Sequence, residues 1–319
     1  MRLKFMDTGF IGPCVLALGM FDGVHAGHAR LLRTAREWGA SQGLPVIVCT
    51  FLRHPLSVIK PEIAPSMLST VPERAARMAQ LKVDELVVLP FDEKMRDLSP
   101  KEFVDRLVER LHPRHVVVGF NYTFGIGGEG DAKLLTAMGE KLNYQVHVLS
   151  PVKVDGHTVS STQIRRLLSQ GYVEVAQKLL ERPYAISGRV IKGKGLGRTL
   201  GFPTANVAIP KGKALPAFGV YVANVQTMEG TYPAVLNIGR HPTVPEGDLT
   251  LEAHLLSNTE DLYGKKARVQ FLKRLRGEEK FDSLQMLKDQ MDIDSRQAKA
   301  YFGISQSLHF GHARIDGGK

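Results

Sequence analysis

Between residues 15 and 149 five short apolar runs recur, each separated from the next by an amphipathic stretch, and this alternation limits the fold more than any other feature of the sequence. The runs are residues 15–18, 46–48, 86–89, 115–118 and 146–149, rich in Val, Ile and Leu. The stretches between them, 29–38, 72–81, 100–111 and 133–141, place apolar residues at helical spacing. Short apolar strands joined by helices predict an α/β fold, a parallel sheet covered by helices on both faces. In such a sheet ligands bind beyond the carboxyl ends of the strands, so the residues just after each run are where chemistry is to be sought.

After Arg182-Pro183-Tyr184 the texture changes. Strand candidates at 186–191, 220–225, 232–238, 251–256 and 268–272 follow one another with Gly, Pro, Asn and Asp between them, which predicts a separate β-barrel. A last amphipathic stretch, 283–300, carries Leu284, Leu287, Met291 and Ile293 and reads as a closing helix. The expected division is 1–182, 183–304 and a tail, 305–319. A chain of 319 residues also suggests two domains at about 150 residues each.

Lysine and arginine number 42 against 32 acidic residues, a net charge of +10, which favours anionic partners, either nucleic acid or phosphorylated small molecules. The basic clusters, Lys265-Lys266 and Lys273-Arg274, are short and lack an aromatic platform, so nucleic acid is not expected. No run approaches the ~18 apolar residues of a membrane span, and none is expected. Cys14 and Cys49 sit in apolar surroundings and read as buried free thiols. No long apolar segment follows Arg2 and Lys4, so a cytoplasmic location is expected.

Two stretches of the first part carry phosphate chemistry. The run Gly19-Met20-Phe21-Asp22-Gly23-Val24-His25-Ala26-Gly27-His28 leads from a strand through glycines into a helix. A helix start offers N–H groups and a positive dipole end, and His25 and His28, three apart, place imidazole N–H donors on its first turn. Such donors can stabilise charge developing on a leaving pyrophosphate. The spelling alone also suits a surface or packing pair: His309-Phe310-Gly311-His312 repeats it with neither strand nor helix around it. The second stretch, Ser160-Ser161-Thr162-Gln163-Ile164-Arg165, opens another helix with Ser161 as its expected N-cap. Ser161, Thr162 and Arg165 can converge on an anion there, and simple capping is the equal alternative.

The second part contains Gly188-Arg189-Val190-Ile191-Lys192-Gly193-Lys194-Gly195, which spells most of a Walker A loop. Gly195 stands where that loop needs Ser or Thr, and no helix is expected after it. Downstream lies Arg198-Thr199-Leu200-Gly201-Phe202-Pro203-Thr204-Ala205-Asn206. Gly193, Lys194 and Arg198 can wrap a polyphosphate, while the Thr204 hydroxyl and the Asn206 amide oxygen are hard ligands suited to Mg²⁺. A turn between strands is the lesser alternative for residues 203–206.

Together the His25/His28 run and the 160–165 run resemble the paired signatures of the HxGH nucleotidylyltransferases. Thr50-Phe51 with His54-Pro55, and Gly119-Phe120-Asn121-Tyr122-Thr123-Phe124-Gly125, match as well. The Pro203-Thr204-Ala205-Asn206 run resembles the signature of riboflavin kinases, with Gly219-Val220-Tyr221, Asn237-Ile238-Gly239, Leu251-Glu252-Ala253-His254 and Arg276-Gly277-Glu278-Glu279-Lys280-Phe281 in register. From about residue 14 to 302 the chain is similar to the prokaryotic bifunctional riboflavin kinase/FAD synthetase family. The resemblance implies a Rossmann-like adenylyltransferase domain, a kinase-type barrel with a C-terminal helix, and ATP, riboflavin and FMN as partners with Mg²⁺ as cofactor. It implies that Glu252 takes the proton from the riboflavin hydroxyl, that Thr204 and Asn206 hold the metal, and that Gly193, Lys194 and Arg198 bind ATP. Arg276 falls on the flavin side. In the other domain His25, His28, Ser161, Thr162 and Arg165 would hold ATP, and Asn121 FMN. Three departures stand out: Arg240-His241-Pro242 spaces its arginine away from the proline, Glu181 replaces a customary glycine, and residues 305–319 extend past the resemblance.

Overall fold

A computed structural model of the chain describes residues 1–5, 12–193, 196–240, 249–256 and 262–304. Lys194, the side chain of Arg198, the His309/His312 pair and the tail lie outside the described residues. The chain divides into two compact units, Met1–Tyr184 with Pro210–Ala217, and Ala185–Ile209 with the chain from Phe218 onward.

The first unit runs β1 (Arg2–Phe5), β2 (Cys14–Leu18), α1 (Ala26–Gln42), β3 (Val46–Phe51), α2 (Leu56–Ile59), α3 (Val71–Gln80), β4 (Glu85–Leu89), α4 (Glu93–Arg96), α5 (Pro100–Leu111), β5 (Pro113–Gly119), α6 (Ala132–Leu142) and β6 (Gln145–Leu149). A small hairpin, β7 (Lys153–Val154) and β8 (His157–Thr158), precedes α7 (Ser161–Ser169) and α8 (Val173–Leu180). The six-stranded sheet has the order β1-β4-β3-β2-β5-β6, and its pairs are parallel. Alternate residues of each strand enter opposite cores, as the two-residue period of a pleated strand requires. Cys14, Leu16 and Leu18 pack with Phe103, Leu107 and Leu111 of α5, while Val15 and Ala17 pack with Leu31, Leu32 and Ala35 of α1. Both faces are covered, so the sequence shows unbroken apolar runs. The exception is β6, an edge strand whose Val148 is exposed.

Helix starts follow local chemistry. Thr70 with Glu73 and Ser99 with Glu102 form reciprocal capping boxes at α3 and α5. Ser160, not Ser161, caps α7: its hydroxyl accepts from the Gln163 N–H, and Ser161 becomes the first helical residue. With two serines in succession, composition cannot say which one has left the helical backbone region.

The second unit comprises β9 (Tyr184–Ile191), α9 (Leu196–Thr199), β10 (Thr204–Val207), β11 (Gly219–Gln226), β12 (Thr231–Arg240), β13 (Leu249–Leu255), β14 (Lys266–Arg276) and α10 (Leu284–Tyr301). The strands close into a barrel in the order β10-β13-β12-β11-β14-β9. One alternative falls and one expectation is corrected here. Residues 204–206 belong to a strand rather than a turn, and a single helical turn, α9, follows Gly195 where none was expected. Strand β10 escapes a hydrophobicity reading because it is short and only Val207 is buried.

Glu181, standing where a glycine is customary, ends α8 in the left-handed region at φ 58°. Its carboxylate accepts ion pairs from Arg33 of α1 at 3.1 Å and Arg77 of α3 at 3.3 Å. These contacts offset a backbone cost that glycine would not incur. Glu181→Ala is therefore expected to lower stability by about 1 kcal/mol more than Glu181→Gly, since both lose the pairs and only alanine keeps the strain. Urea midpoints read from the fluorescence of Trp38, the chain's only tryptophan, check the order of the two variants.

Candidate functional site

The chain reverses its direction across the first sheet at β2, which lies between β3 and β5. The segment leaving β2 therefore emerges at the topological switch point, where open α/β sheets bind ligands. Its backbone is forced: Phe21, Gly23 and Val24 have φ of 50°, 80° and 40°. For a β-branched residue such as Val24 this is a strained conformation, held only where surroundings over-determine it.

They do so through side chains from four directions. The Asp22 carboxylate accepts from the N–H groups of Leu68 and Ser69, both at 3.0 Å, from the Ser69 hydroxyl at 3.2 Å and from Arg165 Nη2 at 2.6 Å. The Ser69 hydroxyl in turn accepts from Gly23 N–H at 2.8 Å. Arg182 donates to the carbonyls of Gly23, Val24 and Leu180. Arg74, fully buried, donates to Met20 O and Thr50 Oγ1, both at 2.9 Å. Ser161 donates its hydroxyl to Asp22 O at 2.9 Å, which ties the start of α7 to the loop.

The loop delivers His25 to the N-cap of α1, where its Nδ1 accepts from His28 N–H at 3.3 Å. An accepting Nδ1 places the ring proton of neutral His25 on Nε2. The two imidazoles stack with centroids 3.7 Å apart. Gly27 makes this possible, because a Cβ there would come within 3.2 Å of His25 Cε1. Burial, with Arg182 and Arg165 adding to it, pushes His25 down to about 4 against a raising backbone hydrogen bond. His28 is held well below its usual range by burial, then by His25, Arg74 and Arg182. Its Nδ1 is buried with no hydrogen-bond partner among the described residues. Neutral imidazoles amid three guanidiniums could donate ring N–H hydrogen bonds to an anion without giving up a proton.

Of the other residues expected here, Ser161 and Arg165 reach the loop through Asp22. Arg165 also donates to Ser66 O at 2.7 Å, so its guanidinium serves the protein's own carboxylate. Thr162 is exposed on the first turn of α7, and Asn121 is exposed just past β5, the strand beside β2. The sequence reading missed Arg74, Arg182, Ser69 and the role of Asp22.

In the barrel, register assembles the second constellation. Asn206 of β10 is opposite Glu252 of β13, and Glu252 is opposite Asn237 of β12. Directly opposed residues share a face, as do residues two apart on one strand, so Thr204, Asn206, Glu252 and Asn237 line one side. Thr204 Oγ1 lies 3.5 Å from Glu252 Oε2. Gly193 passes so close to the Asn206 amide that any side chain at 193 would displace it. Arg276, expected on the flavin side, bonds the Asp294 carboxylate of α10 through its Nε and Nη2 at 2.9–3.1 Å and the Gly277 carbonyl through its Nη1 at 3.1 Å. It anchors the closing helix to the barrel.

Comparison with known proteins adds the family. Residues 9–163 match the FAD synthetase model and residues 180–302 the riboflavin kinase model. The bifunctional riboflavin kinase/FMN adenylyltransferase of Escherichia coli (strain K12) is 38% identical over 295 residues, spanning 92% of this chain and 94% of that one. That of Pseudomonas fluorescens is 40% identical over 289 residues, spanning 90% and 92%, and that of Bacillus subtilis (strain 168) is 36% identical over 301 residues, with the same shares. A crystal structure described as a macrolide-efflux protein from Streptococcus pneumoniae superposes with a TM-score of 0.85 at 30% identity, covering 94% of this chain and 99% of its own. Among the described residues no helix is long and apolar enough to cross a membrane.

The buried histidines make stability depend on pH. Below about pH 6.5 the unfolded chain takes up a proton that folded His25 refuses until about pH 4. The first unit should therefore lose about 3 kcal/mol from His25 alone as pH falls through that window. His25→Asn, which can still cap α1, should flatten the slope of the Trp38-detected urea midpoint against pH, and an unchanged slope would refute the assignment.

Proposed function

The chain belongs to the bifunctional riboflavin kinase/FMN adenylyltransferase family, and from that premise we propose which of its residues carry each reaction. Residues 9–163 contain the histidine loop and residues 180–302 the Thr204–Glu252 constellation, so each matched half holds one of the two phosphate-handling constellations. That pairing carries the reading. The barrel phosphorylates riboflavin with ATP to give FMN, and the α/β unit joins AMP from a second ATP to FMN, giving FAD and pyrophosphate.

In the kinase, Glu252 accepts the proton of the riboflavin 5′-hydroxyl as its oxygen bonds to the γ-phosphorus and the bond to the β-phosphate oxygen breaks, releasing ADP. Thr204 and Asn206 offer a hydroxyl and an amide oxygen on one face beside a carboxylate, a donor set that suits Mg²⁺, which takes few protein oxygens and keeps waters and phosphates. Bound there, Mg²⁺ would neutralise charge on the ATP phosphates. Gly193 leaves room for the Asn206 amide to keep its aim, and Gly193, Lys194 and Arg198 bind ATP in this reading.

In the transferase, an FMN phosphate oxygen attacks the α-phosphorus of ATP and pyrophosphate departs. His25 and His28 donate hydrogen bonds to the phosphates as charge shifts onto the leaving group. Thr162, exposed on the first turn of α7, completes the ATP cradle in this reading, with Arg165 and Ser161 bonded to Asp22. Asn121, past β5 at the switch point, contacts FMN. Two buried free thiols fit a reducing, cytoplasmic setting.

Given FMN, ATP and Mg²⁺, His28→Ala is expected to lose about 10² to 10³ in FAD formation while forming FMN from riboflavin normally. Glu252→Gln should do the reverse, and Gly193→Ala should slow only FMN formation. Chromatographic product analysis distinguishes the two activities, and equal loss of both in either of the first two variants would contradict separate sites.

A further inference from the structure

Residues 210–217 lie in the sequence stretch that matches riboflavin kinase, yet they belong to the first unit. Backbone hydrogen bonds fix the segment there: Met67 N–H donates to Gly212 O at 2.7 Å, and Ala214 N–H donates to Met67 O at 2.8 Å. These bonds already dock the segment, so they leave the purpose of its one buried charge unexplained. The Lys213 side chain is 1% exposed, and a lysine is almost never that buried without a partner. Its ammonium bonds Glu73 Oε2 at 2.5 Å and Leu68 O at 2.9 Å, over the ring of Tyr184.

The second of these contacts points at the histidine loop. Leu68 C=O and Ser69 N–H are the two ends of one peptide group. The carbonyl receives the Lys213 ammonium and the N–H donates to Asp22 Oδ1 at 3.0 Å. A cation on the carbonyl polarises the amide and strengthens the bond its N–H makes. The Ser69 hydroxyl extends the line to Gly23 N–H, two residues before His25. We propose that Lys213 is a positioning residue for adenylyl transfer: through the Leu68–Ser69 peptide it fixes Asp22, and Asp22 fixes the strained turn that aims His25 and His28. This rests on the reading that the loop transfers AMP to FMN. Lys213 lies between two barrel strands, β10 and β11, in sequence, but it belongs to the first unit and acts on that unit's reaction.

The test compares Lys213→Met with Lys213→Met/Glu73→Gln, in which the glutamine can still cap α3 and no unpaired charge is left buried. In both variants kcat for FAD formation should fall about 10²-fold. The KM for ATP should stay within about threefold of the parent. FMN formation should be unchanged, and the double variant should regain the thermal midpoint without regaining the rate. A rate that recovers with stability, a parallel loss of both activities, or an unaltered FAD rate would overturn the proposal. Should the single variant fail to fold, the double variant carries the same comparison. Histidine ¹⁵N shifts read the loop without turnover. The parent should show His25 as the Nε2–H tautomer and Lys213→Met an averaged signal, whereas an unchanged tautomer would overturn the proposal even if the parent makes no FAD. Absence of FAD from the parent protein would instead refute the underlying assignment of the reaction.

Discussion

The first unit depends on holding Phe21–Val24 in a backbone conformation that its own residues disfavour. A β-branched residue at φ 40° costs of order 1–3 kcal/mol, so the turn needs partners strong enough to keep it. Asp22 supplies them by gathering two backbone N–H groups, a hydroxyl and a guanidinium on one buried carboxylate. The turn in turn places His25 at the mouth of α1 and lets its ring fold back over Gly27. Strain here is concentrated where the sheet reverses direction, which is also where open α/β sheets bind ligands. A relaxed turn would let the histidines wander, and catalysis by hydrogen-bond donation depends on donors that do not have to reorganise.

The barrel solves the same problem differently. Nothing in the Thr204–Glu252 constellation requires strain, because the ladder register alone brings Asn206, Glu252 and Asn237 side by side. The cost is sensitivity to slippage: a one-residue shift of β10 would turn both Thr204 and Asn206 to the opposite face. Strand β10 is short, so its register depends on its partners β9 and β13 rather than on its own apolar content. Gly193 adds a steric condition by leaving space only for the Asn206 amide.

Much of this was legible in the sequence, and the illegible parts share a cause. Strands buried on both faces announce themselves as β-branched runs, and helix starts as Thr-x-x-Glu or Ser-x-x-Glu spellings. The histidine loop was readable because its glycines and histidines are neighbours. Arg74 reaches Met20 across 54 residues, Lys213 reaches Leu68 across 145, and Arg182 reaches Gly23 across 159, so no local pattern marks them. Arg276 sits in a familiar run, yet its bond to Asp294, 18 residues on and in another element, is equally invisible to a local pattern. The 210–217 segment lies between barrel strands in sequence, yet its hydrogen bonds to Met67 join it to the first unit, a connection no local pattern marks.

The central claim is that one polypeptide holds two separate triphosphate sites built on unrelated principles. Isothermal titration of the full chain with a non-hydrolysable ATP analogue and Mg²⁺ tests it most directly. The account predicts two bound nucleotides per chain; saturation at one would contradict it.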